Sequence, residues 1–263
     1  MKGKSTTLLY AVALVSCALT MFPPIWALYV SVSVNVDGRS RFGFDHFAEV
    51  TADPQFWLSM WNSFAAASLS TAVSIVLGVM AAYGMTRFKV NYDRLALFVL
   101  AMRMMPSIVL IIPFYILYRQ IGFLDNVVGL AVTYLTFSLP FAVWMIRGFF
   151  AAIPHEIDEA ATLDGANAWA TLRLVILPLS LAPILTTAVL IFCFCWNEFL
   201  FALVLTDSHA LTFLPMLTRY VPPQGPLYGQ IFAGSTIYFA IPIVALTLIR
   251  RHLEGSFASG SLK

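Results

Sequence analysis

The sequence has 263 residues, of which 60% are hydrophobic and only 11% are charged. So few charges in a chain of this length exclude a water-soluble globular domain and indicate an integral membrane protein. The formal net charge is +2 at pH 7, and no run of Lys or Arg suggests nucleic-acid binding.

Six apolar runs are each long enough to cross, as a helix, a bilayer core that is about 30 Å thick. They cover residues 8–32, 58–85, 95–118, 127–146, 179–205 and 230–249. The third run is interrupted by Arg103, and we expect breaks at Pro106 and Pro113. Lys2 and Lys4 precede the first run as in a signal peptide, but the run is longer than a signal core. We therefore expect this run to be retained as a membrane span.

These runs predict an all-α integral membrane protein with six transmembrane helices. We expect residues 1–57 to form the first helix and an outward-facing segment, 58–250 the transmembrane core, and 251–263 a cytoplasmic tail. Cytoplasmic loops carry an excess of Lys and Arg, which sets the orientation. With the N-terminus inside, the inner segments hold ten of these residues and the outer segments hold four. Both termini are therefore predicted to be cytoplasmic.

A long polar interruption lies at residues 154–183, here named the signature segment. Pro154 can begin a helix there, because the N–H that proline lacks would be unpaired at that position. The first turn is rich in carboxylates, which suit the positive end of a helix dipole: Glu156, Asp158 and Glu159. Asp164-Gly165 is a turn signal, since glycine can take the left-handed conformation that ends a helix.

A second helix is predicted from about Ala166 onward. Trp169, Leu172 and Ile176 follow at a spacing that would place them on one face of that helix. The signature segment ends with two prolines that mark the transition to the next apolar run, Pro178 and Pro183. Its sequence therefore predicts a helix, a turn and a second helix.

The signature segment resembles that of the inner-membrane permease subunits of ATP-binding-cassette importers. Their motif is Glu-Ala-Ala, three residues, Gly, nine residues, an aliphatic residue, one further residue and Leu-Pro. The matching residues fall on this spacing without a gap: Glu159, Ala160, Ala161, Gly165, Val175, Leu177 and Pro178. The departure is Val175, where isoleucine is usual. The resemblance implies a type I importer permease fold, with a cytoplasmic coupling helix that docks into a groove of the ATP-hydrolysing subunit.

The resemblance also implies which residues couple the chain to the ATPase. They are Glu156, Glu159, Ala160, Ala161, Asp164, Gly165, Trp169, Leu172, Leu177 and Pro178. The alanines would let a partner's surface approach closely, and the glycine would allow the sharp turn. The alternative is an ordinary cytoplasmic loop with a solvated acidic face.

Further matches point to the carbohydrate branch of this family, close to the permeases of maltose-like systems. They are Asn62-Ser63, Ala81-Ala82-Tyr83, Arg87-Phe88, Arg103-Met104, Pro106, Ile112-Pro113, Tyr115, and residues 121–126 and 196–203. Residues 255–263 resemble the tail of that branch more loosely, so the contact between tail and ATPase that the branch implies is left open.

Two ionisable residues lie well inside the predicted spans, Arg103 and Glu198. Such residues are costly in lipid and normally face protein or a water-filled cavity. Asn197, Glu198 and Arg103 are therefore candidates for the translocation path, where Asn197 and Glu198 would bind sugar hydroxyls. In the alternative interpretation, Glu198 pairs with Arg103 or with a partner subunit and only fixes the packing of the helices.

The function implied by the resemblance is ATP-driven, binding-protein-dependent import of a sugar, polyol or glycoside across the cytoplasmic (inner) membrane, by alternating access. The expected partners are a second related permease, two ATPase subunits, an extracytoplasmic solute-binding protein and membrane lipid. Residues 35–56 and 206–228 would face outward, toward the binding protein. We expect neither catalytic residues nor a metal site, and His155-Glu156 lacks the second histidine of a zinc-protease motif. No phosphate-binding loop is present, so ATP and Mg would be bound by the partner ATPases.

Three alternatives remain at this point. The same kind of importer could carry a non-sugar solute. An ion-coupled secondary transporter would require paired intramembrane carboxylates and usually a repeated half, and neither is found in the sequence. A non-transporting membrane scaffold would tolerate a bulky residue at Gly165.

Overall fold

The computed structural model describes residues 2–36, 39–88, 101 and 106–260, most of them helical. The chain divides into two compact units, residues 1–57 with 216–241 and residues 58–215 with 242–263. Helix α3 (Pro54–Arg87) and helix α12 (Tyr228–Gly260) each contribute to both units.

The first unit begins with α1 (Lys2–Val32), whose side chains from Leu9 onward are mostly exposed, as suits a helix surrounded by lipid. An antiparallel pair of strands follows, β1 (Ser33–Val36) and β2 (Arg39–Phe42), with Ser33 opposite Phe42. This hairpin was not predicted from the sequence, although the Asp-Gly pair at 37–38 is a hairpin signal. The unit is completed by α2 (Asp45–Ala52), a 3-10 helix (Leu217–Tyr220) and the first part of α12.

The second unit holds the remaining helices. They are most of α3, α4 (Ser107–Ile121), α5 (Val127–Ala151), α6 (Glu156–Leu163), α7 (Ala168–Thr171), α8 (Leu177–Leu179), α9 (Leu181–Trp196), α10 (Leu200–Leu205), α11 (Phe213–Met216) and the end of α12. A π-helix (Leu172–Ile176) joins α7 to α8. Helices α5 and α9 pack against each other, and Phe141 and Phe194 meet edge to face there with ring centroids 5.2 Å apart.

Small residues bring α3 and α5 into close contact. A Cβ added at Gly78 would lie 2.7 Å from the Cβ of Ala142, so only glycine fits this crossing. The hydroxyls of Ser70 and Ser74 lie 3.1 and 2.8 Å from that of Ser138, within hydrogen-bonding distance. Gly78, Ser70 and Ser74 therefore serve the packing of α3 against α5.

Four of the described helices are long and apolar enough to cross a membrane: Leu9–Val32, Pro54–Arg87, Val127–Ala151 and Tyr228–Thr247. A fifth crossing results if Ala168–Leu179 and Leu181–Trp196, which meet at 79°, form one bent span. The first half of the third predicted span, including Arg103, falls largely outside the described residues. Its described part, Ser107–Ile121, begins directly after Pro106. It continues through Pro113, so the break predicted at Pro113 was wrong.

The fifth predicted span is not one helix. It ends at Trp196 and resumes at Leu200 as α10. A 79° bend also lies at its start, at Ser180. In a straight helix, the ring of Pro183 would clash with the carbonyl of Leu179, which explains why the helix breaks before Pro183.

Candidate functional site

The turn of the signature segment is a complete helix-ending motif. Helix α6 stops at Leu163, and Gly165 has a φ of +85°. Its N–H donates to the carbonyl of Thr162 at 3.0 Å, and the next N–H, of Ala166, donates to that of Ala161 at 2.9 Å. This pair of bonds is the Schellman motif, which needs a left-handed residue at the glycine position. The turn occurs where the sequence predicts it.

The second helix begins with a side-chain cap. Asn167 accepts a hydrogen bond from the N–H of Ala170 at 2.9 Å through its side-chain oxygen, which satisfies one of the free donors of the first turn. After one turn the chain widens into the π-helix, in which the N–H of Leu177 reaches the carbonyl of Leu172. Asn167 therefore fixes the start of this helix, one to two residues after the predicted position.

The three residues predicted to share one face of the second helix differ in burial. Leu172 and Ile176 are buried, but Trp169 is 61% exposed. Trp169 lies in the single α-helical turn that precedes the π-helix, whereas Leu172 and Ile176 are the first and last residues of the π-helix itself. Trp169 is therefore available to a partner, whereas Leu172 and Ile176 support the segment from within.

The other predicted coupling residues divide in the same way. Ala161 is buried and Leu177 is half-buried. The remaining members are exposed: Glu156, Glu159, Ala160, Asp164, Gly165 and Pro178. Two apolar side chains that were not predicted project beside them, Leu163 at 90% exposure and Leu174 at 69%. The signature segment thus presents acidic and apolar groups side by side.

Grooves lie on both sides of helix α6. One, of about 630 Å³, extends from Tyr83 and Arg87 at the end of α3 to Thr171. The other, of about 490 Å³, runs between Glu156 and Leu174. Helix α6 therefore stands out as a ridge between two open grooves, a shape that suits insertion into a partner's surface.

An ion pair that was not predicted from the sequence connects this ridge to α3. Arg87 Nε lies 2.9 Å from Asp158 Oδ2, and the two side chains are 6% and 18% exposed. Arg87 Nη2 also donates to the carbonyl of Ile153 at 3.3 Å. Arg87 ends α3 and Asp158 lies in the first turn of α6, so each charge also suits the dipole of its own helix.

The translocation-path candidates are described only in part, because Arg103 lies outside the described residues. The carboxylate of Glu198 accepts hydrogen bonds from the N–H groups of Phe201 and Ala202 at 3.1 and 3.2 Å. These bonds satisfy free donors at the start of α10 and explain why a new helix begins there. Asn197 is exposed and donates to the carbonyl of Cys193 at 2.8 Å. The two interpretations of Glu198 stay open.

A carboxylate also anchors the chain just before the first residue of α5, at the end of that helix opposite the signature segment. Asp125 accepts hydrogen bonds from the N–H groups of Asp207, His209 and Ala210, at 2.9, 2.9 and 2.8 Å. Burial alone would raise the pKa of this carboxyl, but the three donors outweigh burial and hold the pKa below its usual value. Asp125 therefore fixes the segment that follows α10.

The same segment is held from α3. The amide of Asn62 donates to the carbonyls of His209 and Leu211 at 2.8 and 3.0 Å, and the hydroxyl of Ser63 accepts from the N–H of Phe213 at 2.9 Å. Asn62-Ser63 and Asp125 lie in stretches that the sequence analysis matched to the carbohydrate branch, without a role. Their role in the structure is to position residues 206–213.

Comparison with solved structures identifies the fold. A bacterial ABC transporter involved in the import of the acidic polysaccharide alginate superimposes with a TM-score of 0.76 at 21% identity, over 95% of this chain and 97% of that chain. The MetNI methionine ABC transporter matches with a TM-score of 0.62 at 16% identity, over 76% and 94%. The chain therefore has the type I importer permease fold, and at these identities the likeness concerns the fold alone.

Curated relatives match nearly end to end. The trehalose transport system permease protein SugB of Mycobacterium tuberculosis is 32% identical over 92% of each chain. The trehalose/maltose transport system permease protein MalG of Thermococcus litoralis is 30% identical, over 95% of this chain and 94% of the relative. Residues 74–258, which include the signature segment, match the family described as binding-protein-dependent transport system inner membrane component. The chain belongs to this family of importer permeases.

Proposed function

We propose that this chain is one permease of a sugar importer, and that its signature segment is the joint through which ATPase subunits drive it. The observation that carries this proposal is the exposed ridge of α6 in a chain of this family. Leu163 at the end of α6 and Trp169 on α7 are 90% and 61% exposed, beside the exposed carboxylates of the signature segment. Large apolar side chains grouped in this way mark a surface that a partner protein covers.

The charge of the ridge indicates what the partner surface carries. Glu156, Glu159 and Asp164 are all exposed on or beside α6. A complementary surface has basic residues around an apolar pocket for Leu163 or Trp169. ATP and Mg would then be bound by the partner, and this chain would be a non-catalytic subunit.

The two ends of α5 support an orientation. Its 25 residues span about 37 Å as a helix, with the Asp125 anchor before its first residue and the signature segment after its last. If the signature segment is cytoplasmic, as the excess of Lys and Arg on that side predicts, residues 206–213 face outward. They would then be placed to contact a solute-binding protein, and both termini would be cytoplasmic in a multi-pass inner-membrane protein.

The relatives favour a sugar as the solute. The two whose names are given above transport trehalose, or trehalose and maltose. We propose that this chain carries a sugar, polyol or glycoside, together with a second related permease, two ATPase subunits and an external binding protein. Membership of a binding-protein-dependent family argues against an ion-coupled secondary transporter.

Reconstitution of the complete importer in vesicles tests this function. Uptake of labelled trehalose or maltose should require ATP on the side of the membrane where the ATPase subunits lie. It should also require the binding protein on the opposite side. It should persist when ionophores dissipate proton and sodium gradients. Uptake that follows an ion gradient without ATP would contradict the proposal, and a binding protein that selects a non-sugar solute would contradict its substrate class.

A further inference from the structure

We propose that Arg87 is a positioning residue which transmits movement of the signature segment to α3, through its ion pair with Asp158. This inference rests on the proposed coupling function and adds the route by which movement reaches the membrane. Arg87 is the last residue of α3, one of the helices long enough to cross a membrane. Asp158 lies in the first turn of the exposed ridge.

The geometry makes the contact a two-point attachment. Arg87 Nε is 2.9 Å from Asp158 Oδ2, and Arg87 Nη2 donates to the carbonyl of Ile153 at 3.3 Å. Ile153 lies in the turn that precedes α6, so one planar guanidinium binds both the turn and the first residues of the helix. A lysine could reach only one of these partners at a time, since its ammonium is a point charge on a flexible stem.

Burial gives this contact its strength. The Arg87 side chain is 6% exposed and that of Asp158 is 18% exposed, so water screens their attraction poorly. Removing one member of such a pair leaves the other charge buried without compensation. A pull on α6 would therefore move the end of α3 with it, rather than stretch a loose loop.

The test uses the assembled importer with wild-type, Arg87→Ala, Asp158→Ala and Arg87→Lys chains. Arg87→Ala and Asp158→Ala should each lower ATP-driven uptake by about tenfold or more, as expected for truncation of a buried charge pair. Arg87→Lys should fall between wild type and Arg87→Ala. Arg119→Ala is the matched control, because Arg119 is an exposed residue in the last turn of α4, and it should transport normally.

A reversed pair separates the contact from general damage to the fold. The double variant Arg87→Asp with Asp158→Arg should transport better than either single reversal, although both helix dipoles then oppose the charges. Normal uptake in both alanine variants would overturn the proposal. The proposal would also be overturned by two results together: uptake by the double reversal no higher than by either single reversal, and uptake by Arg87→Lys as low as by Arg87→Ala.

Co-purification of the ATPase subunits distinguishes this proposal from the coupling function itself. The alanine variants should retain their ATPase subunits, since neither Arg87 nor Asp158 is among the exposed side chains of the ridge, and they should hydrolyse ATP without matching uptake. If the wild-type chain recruits no ATPase, the coupling function fails. If the wild-type chain recruits it and the variants transport normally, only the Arg87 route fails.

Discussion

Replacement of Gly165 tests whether the turn of the signature segment must keep its shape. The residue has a φ of +85°, and an added Cβ would meet no atom within 4 Å. The penalty of Gly165→Ala is therefore confined to the backbone, about 1–2 kcal/mol for a non-glycine residue in the left-handed region. That free energy lowers the population of the native turn about five- to thirtyfold relative to alternatives. Gly165→Val should be worse, because a β-branched side chain is less tolerant of this region.

The assay compares uptake with ATP hydrolysis in the reconstituted importer. Both variants should hydrolyse ATP with less uptake for each ATP consumed, Gly165→Val more so than Gly165→Ala. Thermal unfolding of the purified complex should change little, because the helices of the membrane core are untouched.

Gly122 provides a matched control. It ends α4 with a φ of +69°, and an added Cβ there also meets no atom within 4 Å. Gly122→Ala therefore carries a similar backbone penalty at a site outside the signature segment, and it should remain coupled. Wild-type uptake by Gly165→Val would refute the reasoning, and so would equal uncoupling by Gly122→Ala.

Three further predictions concern the other polar contacts. Asp125→Asn should destabilise residues 206–213 most near neutral pH. A carboxyl with a lowered pKa stabilises the fold above its unfolded pKa and loses that contribution as the pH falls through its folded pKa. Hydrogen exchange of residues 206–213, measured as a function of pH, checks this prediction. Glu198→Ala should lower thermal stability by about 1 kcal/mol through the loss of a helix cap, whereas Glu198→Gln should retain it. Asn62→Ala should lower the free energy of unfolding by about 1–3 kcal/mol, because the carbonyls of His209 and Leu211 lose their donor.

Each of these has its own control. Asp207→Asn should leave hydrogen exchange unchanged, since Asp207 contributes its backbone N–H to the anchor and not its side chain. Stable Glu198→Gln complexes that fail to transport would indicate a role in the translocation path beyond capping. Asn197→Ala, at an exposed side chain with one local bond, should cost less than Asn62→Ala. An equal loss would contradict the importance assigned to the buried amide.

The parts of the fold that the sequence predicts well are those with a local cause. The turn of the signature segment follows from Gly165 alone, because few other residues adopt its backbone conformation. Most membrane helices follow from the length of their apolar runs. The hairpin at 33–42 also has a local signal, the Asp-Gly pair, although it was not predicted from the sequence.

The parts that the sequence did not predict depend on contacts between distant residues. Nothing in the sequence spacing of Arg87 and Asp158 indicates that they meet, because their contact depends on how the helices between them pack. The break before α10 arises inside an apolar run because Glu198 caps a new helix, a role that composition cannot separate from a place in the translocation path. The π-helix at Leu172–Ile176 was likewise not predicted from the sequence.

A photo-reactive amino acid at position 163 gives the most direct test of the central claim, that the signature segment is where ATPase subunits hold this chain. Leu163 is 90% exposed at the end of α6. In an actively transporting complex, illumination should link this position to an ATP-hydrolysing subunit, whereas the same probe at exposed Val244 on α12 should not. A complex that transports at the normal rate without any link from position 163 to that subunit would contradict the account.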